Sequence, residues 1–201
     1  MTRFRQLPNR QDLKTEPSAT IAQRSRLSAH AALLLIIVFA QVDVSAKVVE
    51  DRHYRFRADL PGILSDRIDE SDGKGGPLAW RTYTSRSPSR QTGAEYTAAV
   101  KVFETNSTDT RVLFEAGEND ASQSLGITLV GRRDGTFGVD RLPSVTLSFQ
   151  SGRDGAPDMQ RATVLLVVKG RRLYEVTFAF NGAADQSATG KTFFQTFKIL
   201  K

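Results

Sequence analysis

The chain has 201 residues, 28 Lys+Arg, 22 Asp+Glu, two His and no Cys, which excludes a disulfide framework, a thiolate metal centre and a lipid-anchored cysteine. Its net charge of +6 is concentrated at the start: six basic and three acidic residues precede position 47, which leaves +3 on residues 47–201. That is an ordinary surface balance without the basic stripe of a nucleic-acid binder, so nucleic acid is not an expected partner.

Residues 1–46 have the layout of a secretory leader. Arg3, Arg5, Arg10, Lys14, Arg24 and Arg26 precede an apolar run over 31–40, and Val44 and Ala46 stand at −3 and −1 of a cut expected after Ala46. A spanning helix needs about 20 mostly apolar residues. The short run therefore points to a cleaved leader rather than a retained anchor; an uncut chain would touch the membrane through 31–46. With no arginine pair ahead of the run, the twin-arginine route has no support. The expected location of 47–201 is periplasmic or secreted. A domain of this length buries roughly two-thirds of its unfolded surface without disulfides.

In chain order, 53–60 alternates, with Tyr54, Phe56, Ala58 and Leu60 on one face, and stops at Pro61-Gly62. A weaker strand is expected over 63–70, a turn over 71–77, a strand over 78–85 and a loop over 87–93. Residues 95–104 form a strand with Tyr96, Ala98, Val100 and Val102 in register. Asn106 to Asp109 supplies N-cap oxygens for a helix whose apolar face is Val112, Leu113, Ala116 and Ala121, weakened by Gly117 and Asn119. A strand at 125–130, a turn at Asp134-Gly135, a strand at 144–150 and a loop at 151–158 follow. Residues 162–168 are nearly all apolar and β-branched, the mark of a strand covered on both faces. Lys169-Gly170 reverses the chain into 173–180, where Tyr174, Val176, Phe178 and Phe180 share a face. A final helix over 187–196 spaces Phe193, Phe197 and Leu200 at i, i+4 and i+7. The expected fold class is α+β: an antiparallel β-sheet of about six to eight strands with helices packed on it.

The opening strand closed by Pro61, the Tyr96-x-x-x-Val100 strand, the Arg172-Leu173-Tyr174 hairpin strand and the closing Phe193-Phe194-Gln195-Thr196-Phe197-Lys198-Ile199 resemble exported bacterial domains of unknown function with a PsbP/Mog-like fold. The resemblance spans most of 50–200. It implies an α/β/α sandwich and a binding or accessory role, and carries no catalytic residues across.

Chemistry-bearing patterns are sparse. After residue 46, His53 is the only histidine, which leaves no zinc set and no imidazole beyond a surface residue. Asp66, Asp69, Glu70 and Asp72 miss the alternation of a calcium loop. Gly190-Lys191-Thr192 resembles the end of a phosphate-binding loop, but Asp185 stands where that motif needs glycine and the tripeptide falls inside a helix. No cofactor or metal is expected. The candidate ligand-binding residues are the basic pairs Arg132-Arg133 and Arg171-Arg172, which could grip a carboxylate or phosphate if their strand ends met. Their alternative is a solvated rim paired with Asp134, Asp140 or Glu175.

The expected function is a non-enzymatic periplasmic domain that binds a small anion or an envelope protein. Two alternatives stand beside it. A small carboxylate-dependent hydrolase would show a cleft with two carboxylates, one with a raised pKa. A structural envelope protein acting by assembly would show a large exposed apolar area.

Overall fold

Two-residue alternation in the long strands builds a sheet that is apolar on both faces. The computed structural model describes residues 46–65, 68–71, 79–87, 95–152, 159–181 and 186–201. The leader expected over 1–46 lies outside these except for Ala46, as do most of the turn and loop segments expected at 71–77, 87–93 and 151–158. Among the described residues, no helix is long and apolar enough to cross a membrane.

The elements in order are β1 (Lys47–Asp51), β2 (Phe56–Leu60), β3 (Ile63–Leu64), β4 (Asp69–Ser71), β5 (Ala79–Arg86), β6 (Glu95–Glu104), α1 (Thr110–Leu125), β7 (Thr128–Phe137), β8 (Leu142–Ser151), β9 (Gln160–Lys169), β10 (Arg172–Asn181), α2 (Ser187–Thr196) and β11 (Lys198–Ile199). The class is α+β. An eight-stranded antiparallel sheet runs β3-β5-β6-β10-β9-β8-β7, with β4 also on β5; a separate three-stranded sheet runs β1-β2-β11.

Odd and even residues of β10 enter different cores. Tyr174, Val176, Phe178 and Phe180 join Val100, Val102 and Val167, together with Phe56, Ala58 and Leu60 of β2 and Phe193 of α2. Leu173 joins Val164, Leu166, Leu147 and Phe149, together with Leu113, Phe114 and Ala121 of α1. Each fully buried side chain of this size contributes about 1.5–3 kcal/mol relative to exposure.

Several sequence expectations need correction. The apolar face of α1 is Leu113, Phe114, Gly117 and Ala121, whereas Val112 is 44% exposed. Gly117 is a point of close approach rather than a weak spot: a Cβ there would stand 2.8 Å from Leu173 Cδ2. Asp109 caps this helix as expected, accepting from the backbone N–H of Arg111 at 2.9 Å.

The strand expected at 125–130 starts later, because Leu125 closes α1 and Gly126, at φ 63°, caps it. Asp134-Gly135 is not a turn; it lies within β7 opposite Val145 and Ser144. Cross-strand pairing along an exposed edge overrides the local turn preference, and the chain reverses at Gly138 (φ 68°) and Arg141 (φ 50°).

The strand expected over 53–60 begins at Phe56, after a turn in which Arg55 holds φ 56°. The last helix ends at Thr196. Phe197 is extended, and Leu200 N–H donates to the Arg55 carbonyl at 2.7 Å, so β11 joins β2.

Candidate functional site

Two clefts open on opposite faces of the large sheet, and β10 contributes to both. Phe178 and Phe180 point to the side of α2, and Glu175 and Thr177 to the side of α1. This follows from the alternation of a strand.

The cleft beside α2 has a volume of about 420 Å³. Its floor is Leu165, Phe178 and Phe180, and Phe194 of α2 forms part of its wall. Gly190 sits where a Cβ would come within 2.6 Å of Phe178 Cδ1, so the glycine lets α2 approach the ring. Two cations stand in the lining, Arg133 from β7 and Lys191 from α2, with hydroxyls from Thr146, Thr163 and Ser187. No carboxylate lines this cleft among the described residues. An apolar floor edged by cations can hold a molecule with an apolar body and an anionic end.

The cleft beside α1 has a volume of about 270 Å³ and the opposite character. Asp69, Asp120 and Glu175 line it, with Lys101, Trp80 and Leu125. Lys101 Nζ donates to Asp120 Oδ2 at 2.8 Å and lies 5.2 Å from the centroid of the Trp80 ring. Glu175 is 6% exposed. Its Oε1 accepts from Thr177 Oγ1 at 3.3 Å, while Oε2 has no donor among the described residues. Burial is the main force that pushes the Glu175 carboxyl up to about 7, helped by the Asp120 charge and opposed by Lys101. Asp120 is placed to accept a hydrogen bond from Glu175 once the latter carries a proton.

The four arginines singled out by sequence do not form one site. Arg132 and Arg133 are neighbours on a strand, so they face opposite sides. Arg132 pairs with Glu118 of α1 at 3.3 Å and with Asp134 at 3.0 Å, and Arg133 lines the α2 cleft. Arg171 and Arg172 line a third cavity of about 290 Å³ at the β9–β10 turn, with Arg55, Lys169, Glu104 and Tyr174. There Arg172 Nη2 lies 3.4 Å from Glu104 Oε1, and its guanidinium stands over the Tyr54 ring at 5.8 Å. Of the rim partners considered from sequence, Asp134 is engaged by Arg132, whereas Glu175 faces Asp120 and Lys101 in the α1 cleft.

Lys191 and Glu175 carry weak signals in the sequence. Lys191 stands in a tripeptide that only resembles the end of a phosphate loop, and Glu175 looks like a rim partner of Arg171-Arg172; its odd position beside the even residues Tyr174, Val176, Phe178 and Phe180 is the sign that it lies on the other, covered face.

No family model matches this chain, and no curated protein matches it. Among solved structures it is similar to a protein of unknown function from Pseudomonas aeruginosa, at 12% identity and a TM-score of 0.43, over 75% of this chain and 92% of that one. It is also similar to a Bacteroides thetaiotaomicron protein, at 11% identity and a TM-score of 0.41, over 78% of this chain and 49% of that one. Likenesses this distant carry no argument about activity.

Proposed function

We propose that this chain is an exported, non-enzymatic binding domain that takes a small amphipathic anion into the cleft beside α2. The observation that carries the reading is the pairing of Arg133 and Lys191 with a floor of Leu165, Phe178 and Phe180. Apolar burial would supply most of the affinity and the two cations the orientation of the head group. Export rests on the leader pattern of 1–46, and β1 begins at Lys47, the first residue after the expected cut. The fold is assigned to the PsbP/Mog-like α/β/α sandwiches on the sequence resemblance, supported by the buried residues that α1 and α2 each contribute to the cores.

The test is thermal unfolding of the protein with octanoate and octyl phosphate, against octanol and acetate as controls. A ligand at about 100 times its dissociation constant adds about 2.7 kcal/mol, a shift of several degrees. The two amphipathic anions are expected to shift the midpoint, and the shift is expected to fall in Arg133→Ala and Lys191→Ala. Equal shifts with octanol would remove the anionic part of the reading. The absence of a shift with any of the four would remove the site.

A carboxylate-dependent hydrolase is the second reading, favoured by Glu175 beside Asp120 in a cleft. Glycosidase carboxylates stand about 5 Å or more apart so that the bond or a water fits between them. Glu175 and Asp120 are within hydrogen-bond reach of each other, which suits proton sharing better.

A further inference from the structure

The α1 cleft holds a buried acceptor with nothing to accept. Glu175 Oε2 is buried and has no hydrogen-bond donor among the described residues, and the Glu175 residue belongs to the lining of an open cleft. A buried carboxylate oxygen in that state costs several kcal/mol unless a proton or a donor reaches it. Lys101 does not meet the need, because it is engaged with Asp120 Oδ2 and held over the Trp80 and Phe103 rings. Glu175 and Asp120 share the one ammonium of Lys101, so an arriving group that brings both a donor and a positive charge satisfies the pair twice. The Trp80 and Leu125 side chains supply an apolar wall for whatever carries that charge.

We propose that the α1 cleft is a binding site for a small organic ammonium, whose charged group is held by the carboxylates of Glu175 and Asp120 while its alkyl part lies along Trp80 and Leu125.

The charged groups that face Glu175 are Asp120 of α1 and Lys101 of β6, and Asp69 of β4 shares the cleft. In the empty cleft the proton on Glu175 occupies the place of the ligand's N–H, since a protonated Glu175 can donate to Asp120. An ammonium needs the carboxylate ionised. Binding therefore expels that proton, and affinity rises as pH rises from 5 towards 8. This site is separate from the α2 cleft and does not depend on it.

Isothermal titration of the protein with putrescine and butylamine, and with butanol as the uncharged control, tests the inference. Run at pH 7 in two buffers of different ionisation enthalpy, the titration reports how many protons leave on binding. The expected result is saturable amine binding with net proton release, no binding of butanol, and release abolished in Glu175→Gln. The same variant is expected to weaken binding at least tenfold, roughly the effect of losing one charged hydrogen-bond partner. Asp120→Asn, at a partly exposed position, is the second variant, and it is expected to weaken binding even if Glu175→Gln disturbs folding. Three results would each overturn the proposal: no saturable heat with either amine, binding without proton release, or amine binding unchanged in both variants.

Discussion

Arg81 Nη1 lies 3.1 Å from Asp51 Oδ2 and thereby ties β5 of the large sheet to the end of β1 in the small one. The carboxylate also accepts from Tyr83 Oη at 2.8 Å and, through Oδ1, from the Tyr54 N–H at 2.9 Å. Arg81 in turn reaches Glu70 of β4 at 2.8 Å. Burial pushes the Asp51 carboxyl up, but the hydrogen bonds from Tyr54, Tyr83 and Arg81 outweigh it and hold the group below its ordinary value of 3.8. The stability it contributes is therefore complete above that value and lost as pH falls through the lowered one. Asp51→Asn is expected to cost about 1–3 kcal/mol in urea unfolding at pH 7, and to flatten the loss of stability below pH 4.

Glu175 works in the opposite sense. Its carboxyl is raised from 4.5 to about 7, so the folded state holds a proton that the unfolded chain has released. The contribution is complete below pH 4.5 and is lost as pH rises to about 7. Over that window the loss is on the order of 3 kcal/mol. Glu175→Gln keeps a donor for Asp120 without the charge. It is therefore expected to flatten the decline and to be more stable than the parent at pH 8. Urea midpoints for both proteins at pH 5 and pH 8 check this; a flat profile in the parent would contradict it.

Gly190→Ala forces a methyl group into the Phe178 ring, since the added Cβ lies 2.6 Å from Cδ1. Overpacking of this kind costs about 1–3 kcal/mol, and the better helix propensity of alanine returns somewhat less than 1 kcal/mol. A net loss in thermal stability is expected, with a narrower α2 cleft and weaker octanoate binding. Gly117→Ala is the parallel case on the other face. It meets the flexible ends of Leu173 and Leu166, so its loss is expected to be smaller.

Placement separates the arginines. Arg133→Ala should lower octanoate affinity, whereas Arg132→Ala, Arg171→Ala and Arg172→Ala should leave it unchanged, because those three side chains lie outside the α2 cleft. Titration calorimetry on the four variants distinguishes one site from a general basic surface. Weakening in all four by similar amounts would mean the latter.

β6, β8, β9 and β10 were legible because their apolar residues repeat at clean periods, and both helices were legible in position, though the residues of their buried faces were only partly so; β7, mostly exposed along the edge, was not. The sequence reading of 95–104 and 187–196 agrees with β6 and α2 to the residue. The small sheet was not legible. β1 is five residues long and β11 two, too short for a periodic signal, and β11 pairs with β2 from more than 130 residues away, beyond any local pattern. For the candidate site, Arg133 stands out in the sequence only as half of a basic pair, and a pair on a strand splits between faces. The clefts depend on which residues of distant strands share a face, and periodicity in a single strand shows only half of that.

β10 sets Tyr174, Val176, Phe178 and Phe180 at even positions and Leu173, Glu175 and Thr177 at odd ones. One inserted or deleted residue near its start would turn the strand over. Phe178 and Phe180 would then face the acids beside α1, and a carboxylate would enter the floor beside α2. The two clefts therefore cannot drift apart by small changes in chain length. Substitutions can retune either one alone, but an insertion in this strand would abolish both together.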